Sequence, residues 1–230
     1  MDSPNSERLG YEHNDGPVQT QKTGLPCTIF PTAYFPPIAL AAAYTRQATF
    51  LIERQETFPK QTLRNRTVIV TANGPMTLSV PIIRPNGNHT RTKDIQVCYN
   101  EPWNRNHWRA ITAAYNASPF FLYYQDELEA LLHRRYELLT ELNEAILSFV
   151  IGKLKLPIHY TYTDEYRKDI PTEKDFRSRY DYKQPETQPH LPSYTQVFSD
   201  RLPFNGNVSI LDLLFNLGPD TAAYLRGIKV

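Results

Sequence analysis

Lys60–Arg66, KQTLRNR, crowds three cations, a glutamine and an asparagine against the apolar run TVIV. In an extended chain side chains alternate faces, which would set Lys60, Thr62, Arg64 and Arg66 on one side and Gln61, Leu63 and Asn65 on the other. Two guanidinium forks on one face suit a carboxylate or a phosphate. The competing reading is a solvated loop neutralised by Glu53 and Glu56, and composition alone favours it. A second group lies in EPWNRNHWRA, where Trp103 and His107 are four residues apart and share a helical face. His107 there could move a proton, although a core tryptophan with a satisfied histidine is the commoner outcome. Tyr34, in the turn TAYFPPI after an apolar stretch, occupies a place where α/β proteins often bind ligands. Its alternative is an aromatic turn that only packs.

Composition narrows the classes. The chain has 230 residues, 25 Lys+Arg against 24 Asp+Glu, and a formal charge of +1. That balance gives no overall pull toward nucleic acid, so any charge-based recognition is local. Two cysteines and six scattered histidines supply neither a disulfide framework nor a metal-ligand spacing, so no metal site is expected. No run approaches the ~20 apolar residues of a membrane span, and the start lacks a secretory signal. A cytoplasmic location is the expectation. No phosphate loop, nucleophile elbow or H-E-x-x-H pair is present, and the sequence identifies no cofactor.

The segments around these residues form an α/β pattern. Residues 1–24 read as a disordered polar tail, and 25–230 as one domain. LPCTIF reads as a strand, IALAAAYTRQ as a helix with prolines at its mouth, and ATFLIE as a second strand, together a parallel crossover. TVIVTANGPMTLSVPI alternates about Asn73-Gly74 and predicts a β-hairpin; DIQVCY predicts a further strand. A helix opens at Glu101-Pro102 and stops at Ser118-Pro119. From about Asp126 a leucine stripe predicts one long amphipathic helix ending near Gly152 and Pro157. Residues 158–197, rich in Tyr and Pro, read as an irregular packed loop or a mobile arm. SILDLLFNLGPD closes the chain as a helix, with Ser209 and Asp212 as a near capping box. The expected fold is thus a mixed sheet with a parallel crossover and a hairpin, flanked by helices.

Several segments in order carry a resemblance: YFPP after the first strand, KQ…NR before the hairpin, W…HW…I…AYNASPFF, and FNGNVSILDLLFNLG. Together they resemble the WbqC-like family from about Ile29 to Leu217. The resemblance implies a role in surface polysaccharide or lipopolysaccharide O-antigen biosynthesis in bacteria, with glycine or aminoacyl transfer to a sugar as the proposed activity. Carried over by position, Lys60, Gln61, Asn65 and Arg66 match KQ…NR, Trp103 and His107 match W…H, and Asn207, Ser209 and Asp212 match N-x-S-x-x-D. The resemblance tips KQTLRNR toward a pocket for a small anionic substrate, such as a sugar nucleotide or an activated amino acid. His107 is then the expected proton shuttle, and Lys60, Gln61, Arg64, Asn65, Arg66, Trp103 and Tyr34 the binding residues. Two departures stand out: the family's Gln-Pro before the aromatic turn reads Thr32-Ala33, and the Tyr/Pro arm replaces a Gly- and Tyr-containing segment of longer members. If that segment completes the active site, the chain is a non-catalytic binder of a polysaccharide intermediate or a biosynthetic partner.

Overall fold

The computed structural model describes residues 27–182 and 188–230, so the polar tail assigned to 1–24 lies outside them. Ile29–Pro31 (β1), Ile38–Tyr44 (α1) and Thr49–Glu53 (β2) make the expected strand–helix–strand unit, β1 and β2 running parallel with Pro31 opposite Glu53. Every residue of α1 is buried, which its run of small and aliphatic side chains permits. Arg66–Thr71 (β3) and Gly74–Ser79 (β4) form the antiparallel hairpin, its turn closed by Gly74 at φ +100°; only glycine enters that region without strain. Ile82–Ile83 (β5) pairs with Gln96–Val97 (β6). The strand expected over DIQVCY is thereby cut to two residues, because Thr92–Asp94 coils into a 3₁₀ turn.

Trp103–Tyr115 (α2) ends before Pro119 as expected. The leucine stripe, however, is divided between Phe121–His133 (α3) and the longer Leu139–Leu154 (α4). The reason is tertiary. Val97 N–H donates to the Glu137 carbonyl and Leu139 N–H to the Ile95 carbonyl, both at 2.9 Å, so this stretch lies extended along β6. Glu141 then accepts from the amides of Glu137 and Leu138 at 3.1 Å and restarts the helix.

The Tyr/Pro arm is not wholly irregular. His159–Tyr162 (β7) pairs parallel with β2 and gives the sheet order β1-β2-β7. Further along, Phe176 N–H donates to the Ile29 carbonyl at 2.9 Å, and the Phe176 ring stacks on Phe30 with centroids 4.7 Å apart. The arm therefore covers the outer edge of β1.

Ile210–Leu217 (α5) and Thr221–Gly227 (α6) complete the fold. Ser209 Oγ accepts from Leu211 N–H at 3.3 Å. The expected reciprocal capping bond is not made, since Ser209 N–H donates to the Val68 carbonyl at 2.7 Å. Asp212, fully buried, instead accepts from Tyr115 (2.9 Å), Tyr194 (2.6 Å) and Gln196 (3.0 Å), tying α5 to α2 and to the segment before it. Among the described residues no helix is long and apolar enough to cross a membrane.

Two glycines should respond oppositely to alanine. Gly218 sits at φ +52°, and a Cβ there would overlap the Phe120 ring. Gly218→Ala should cost more than the ~1–3 kcal/mol of backbone strain alone. Gly152, helical and with open space around it, should gain about 0.5–1 kcal/mol on conversion to alanine. Denaturant midpoints at unchanged m-value read both.

Candidate functional site

Parallel strands end together, and the space beyond their carboxyl ends is where ligands of open α/β sheets bind. Here that edge is built on Glu53, the last residue of β2, which is fully buried. A buried carboxylate has to be paired. Its Oε1 accepts from Gln55 N–H at 2.6 Å and from Thr163 Oγ, just past β7, at 2.7 Å; its Oε2 faces Arg177 Nη1 at 3.4 Å. Arg177 in turn grips Asp175 through Nε (2.9 Å) and Nη2 (2.6 Å), donates Nη1 to the Arg167 carbonyl at 2.8 Å, and lies 4.8 Å over the Tyr166 ring.

This network floors a cleft of about 350 Å³. Glu56, Pro59, Thr62 and Arg64 supply one wall; Tyr166, Asp175, Arg177, Ser178 and Asp181 supply the other. Its size, at the lower end of the roughly 300–1,000 Å³ typical of ligand pockets, suits one sugar ring or one amino acid. Burial pushes the Glu56 carboxyl up from its ordinary pKa, the adjacent Arg64 opposing the shift. Burial also works to raise Asp175, but the hydrogen bonds and charge of Arg177 outweigh it and hold Asp175 low. Two carboxyls of one cleft are thus driven in opposite directions, the pattern of an acid–base pair.

The loop Lys60–Arg66 does not run extended. It coils, with Gln61 at φ +57°, so the expected alternation fails and Leu63, Arg64 and Asn65 are buried in succession. Arg64 turns to the cleft wall, bonded through Nε to Glu56 Oε1 at 2.6 Å, through Nη1 to Thr62 at 3.3 Å and through Nη2 to the Arg177 carbonyl at 2.9 Å. Lys60 and Gln61 are exposed at the tip between Pro59 and Thr62. Asn65 faces the other way, giving Nδ2 to the Val80 carbonyl at 3.0 Å, while Val80 N–H returns a bond to the Asn65 carbonyl at 2.8 Å. Arg66 opens β3 opposite Ser79.

That second side of the loop carries the other expected residues. Tyr34 O–H lies 2.8 Å from His107 Nδ1, and the Trp103 ring stands edge-on to His107 with centroids 5.1 Å apart. Burial pulls the His107 pKa down to about 4, with a bond to the Ser79 backbone opposing it. The neutral ring thus donates to that backbone and accepts the Tyr34 proton on Nδ1. Tyr34 and Trp103 are buried with it, and Asn65 Oδ1, Arg66 Nε and Trp103 Nε1 are buried without a hydrogen-bond partner among the described residues. So Tyr34, Asn65, Arg66, Trp103 and His107 gather around the end of the hairpin, while Arg64 belongs to the cleft.

The sequence profile of the WbqC-like protein family matches residues 32–179, more than half of the chain. The chain belongs to the WbqC-like protein family. The uncharacterized protein Rv1507c of Mycobacterium tuberculosis (strain ATCC 25618 / H37Rv) is similar to it, 26% identical over 202 residues spanning 77% of this chain and 87% of the relative. No solved structure matches it. The match takes in both walls of the cleft except Asp181, and all of the Tyr34–His107 cluster.

The cleft residues of this WbqC-like chain were mostly hidden in the sequence. Glu56 reads there only as a counter-charge to the loop, and Tyr166, Asp175 and Arg177 lie in an arm without periodicity. One signal was available: an acid closing a strand and another three residues later, at the carboxyl end of a parallel unit.

Two predictions follow from the paired groups. Arg177→Ala strands a buried Glu53 charge and should cost about 3–5 kcal/mol in chemical unfolding. His107 has a folded pKa below its unfolded value, so the unfolded chain binds the extra proton and stability falls as pH drops from 6.5 toward 4. The His107 contribution to that slope, up to ~1.4 kcal/mol per pH unit, should vanish in His107→Gln, as read by unfolding across that window.

Proposed function

We propose that this protein is a cytoplasmic transferase of bacterial surface-polysaccharide biosynthesis, folded as one WbqC-like domain over 25–230, whose substrate sits in the cleft beyond the parallel sheet. The reaction is aminoacyl transfer to a sugar, the activity that the family resemblance suggests. One observation carries the reading: a cleft of one-sugar size at the carboxyl ends of parallel strands, with carboxyls of opposed acidity in its walls. Acyl transfer to a hydroxyl or amine needs a base for the proton that the nucleophile loses. Glu56 is suited to it, since burial makes its carboxylate more basic while Arg64 fixes its orientation.

In this reading His107 is a positioning residue. It is buried beside Tyr34 and Trp103, and its Nδ1 is spent on Tyr34; it holds the turn that backs the loop. Lys60 and Gln61, exposed at the loop tip, are placed to meet a part of the substrate projecting from the cleft.

The test is product formation. Wild-type protein incubated with a glycyl thioester and a panel of amino and hydroxy sugars should yield a glycylated sugar by mass spectrometry. Glu56→Gln should lower turnover at least ~100-fold, the lower end of general-base contributions, without lowering the melting temperature in step. Sugar binding with no product from any donor–acceptor pair would instead identify a non-catalytic carrier of a polysaccharide intermediate.

A further inference from the structure

Most of the guanidinium donors of the cleft are already committed, three of five on Arg64 and four of five on Arg177. Arg64 uses Nε, Nη1 and Nη2 on Glu56, Thr62 and the Arg177 carbonyl. Arg177 uses Nε, Nη1 and Nη2 on Asp175, Glu53 and the Arg167 carbonyl. An anion can reach only the few remaining N–H donors, and pulling either guanidinium out of place to form a bidentate pair would break these bonds. In the case of Arg177 it would leave the fully buried Glu53 without its counter-charge, a cost of several kcal/mol by the general behaviour of buried pairs.

The negative side is differently arranged. Three carboxyls line the cleft, those of Glu56, Asp175 and Asp181, against the two guanidiniums, and Glu53 lies directly behind. Asp175 is saturated by Arg177 on both oxygens. Glu56 is not: Oε1 accepts from Arg64, while Oε2 accepts no hydrogen bond from a described residue. The charged groups that act on Glu56 are Arg64, Arg177 and Glu53, and the two arginines are the ones spent above. An unpaired carboxylate oxygen on a residue that lines a cleft calls for a donor, and a charged donor makes a bond roughly twice as strong as a neutral one.

We infer that the cleft selects a ligand carrying a protonated amine, on a body the size of one sugar ring, with Glu56 Oε2 as its acceptor. This rests on the cleft being the substrate site, and it parts from the anionic substrate that the loop's cations suggest. It is also consistent with the electrostatics of Glu56, because an incoming ammonium relieves a negative charge that burial disfavours.

The experiment is calorimetric titration of the full chain with glucosamine, N-acetylglucosamine and glucose 1-phosphate, below the pKa of the amine. Glucosamine should bind about tenfold or more tighter than the other two, a difference of ~1.4 kcal/mol. Glu56→Gln should erase that preference. Ser178→Trp, which places a bulky ring at an exposed position of the cleft wall, should abolish binding. If Glu56→Gln fails to fold, the wild type still decides the matter, since the preference should disappear above the pKa of the amine. Tighter binding of the phosphate or the acetamide, lost in Ser178→Trp, would overturn the amine inference and keep the site. Binding untouched by Ser178→Trp would overturn both. No binding of glucosamine overturns the inference outright.

Discussion

A turn buried in a protein interior must find a partner for every amide and carbonyl it carries, and the Tyr34–Pro37 turn is buried throughout. Its partners come from four separate parts of the chain. Tyr34 N–H donates to the Leu63 carbonyl at 3.0 Å and its hydroxyl reaches His107 at 2.8 Å. The Phe35 carbonyl accepts from Thr67 Oγ at 2.8 Å, and the Pro36 carbonyl from Ile210 N–H at 2.9 Å. Beyond the turn, Ile38 N–H goes to the Val208 carbonyl and Ala39 N–H to Asn207 Oδ1, each at 2.9 Å. The basic loop, the hairpin, α2 and the entry to α5 are thus held in register by one short turn, whose prolines fix its backbone in advance.

This constraint gives a physical reading of the family motifs. YFPP, NR, W…H and N-x-S-x-x-D are far apart in sequence, yet Tyr34 meets His107, Asn207 caps the amide of Ala39 in α1, and Ser209 N–H closes on Val68 of β3. Much of what makes the ordered set recognisable is mutual satisfaction of buried polar groups. Breaking one member leaves the other unpaired in a low-dielectric interior, typically at about 1–3 kcal/mol. Arg64, next to the matched Asn65 and Arg66 but not itself in the motif, turns instead to the cleft, because the loop coils and leaves Asn65 and Arg66 together at the hairpin end.

The same contrast decides what was legible in the sequence. The hairpin was, since Asn73-Gly74 and the flanking alternation are local signals with local causes, and so was the β1–α1–β2 unit. The division of the leucine stripe was not: its periodicity continues through Tyr136 to Leu138, and only pairing with β6 pulls that stretch out of helix. The strand HYTY escaped notice because four residues of mixed polarity show no pattern until β2 is beside them. Most of the cleft was unreadable for a related reason. Its acids and arginines are ordinary surface residues by type, and their roles follow from lying at the carboxyl ends of three strands drawn from distant parts of the chain.

Glu53 connects the two scales. A carboxylate buried at the end of the central strand stabilises nothing by itself; it demands partners, and it obtains them from Thr163 past one neighbouring strand and from Arg177 beside the other. The arm is thereby pinned across the sheet although its own sequence favours no regular structure. With Arg177 immobilised on Glu53 and Asp175, its carbonyl is fixed as an acceptor for Arg64, and Arg64 in turn orients Glu56. The chain of contacts runs from a buried charge to a carboxyl at the cleft surface through a hydrogen bond or ion pair at every step. A site so arranged has little reorganisation left to do when a ligand arrives, which is what preorganised electrostatics requires.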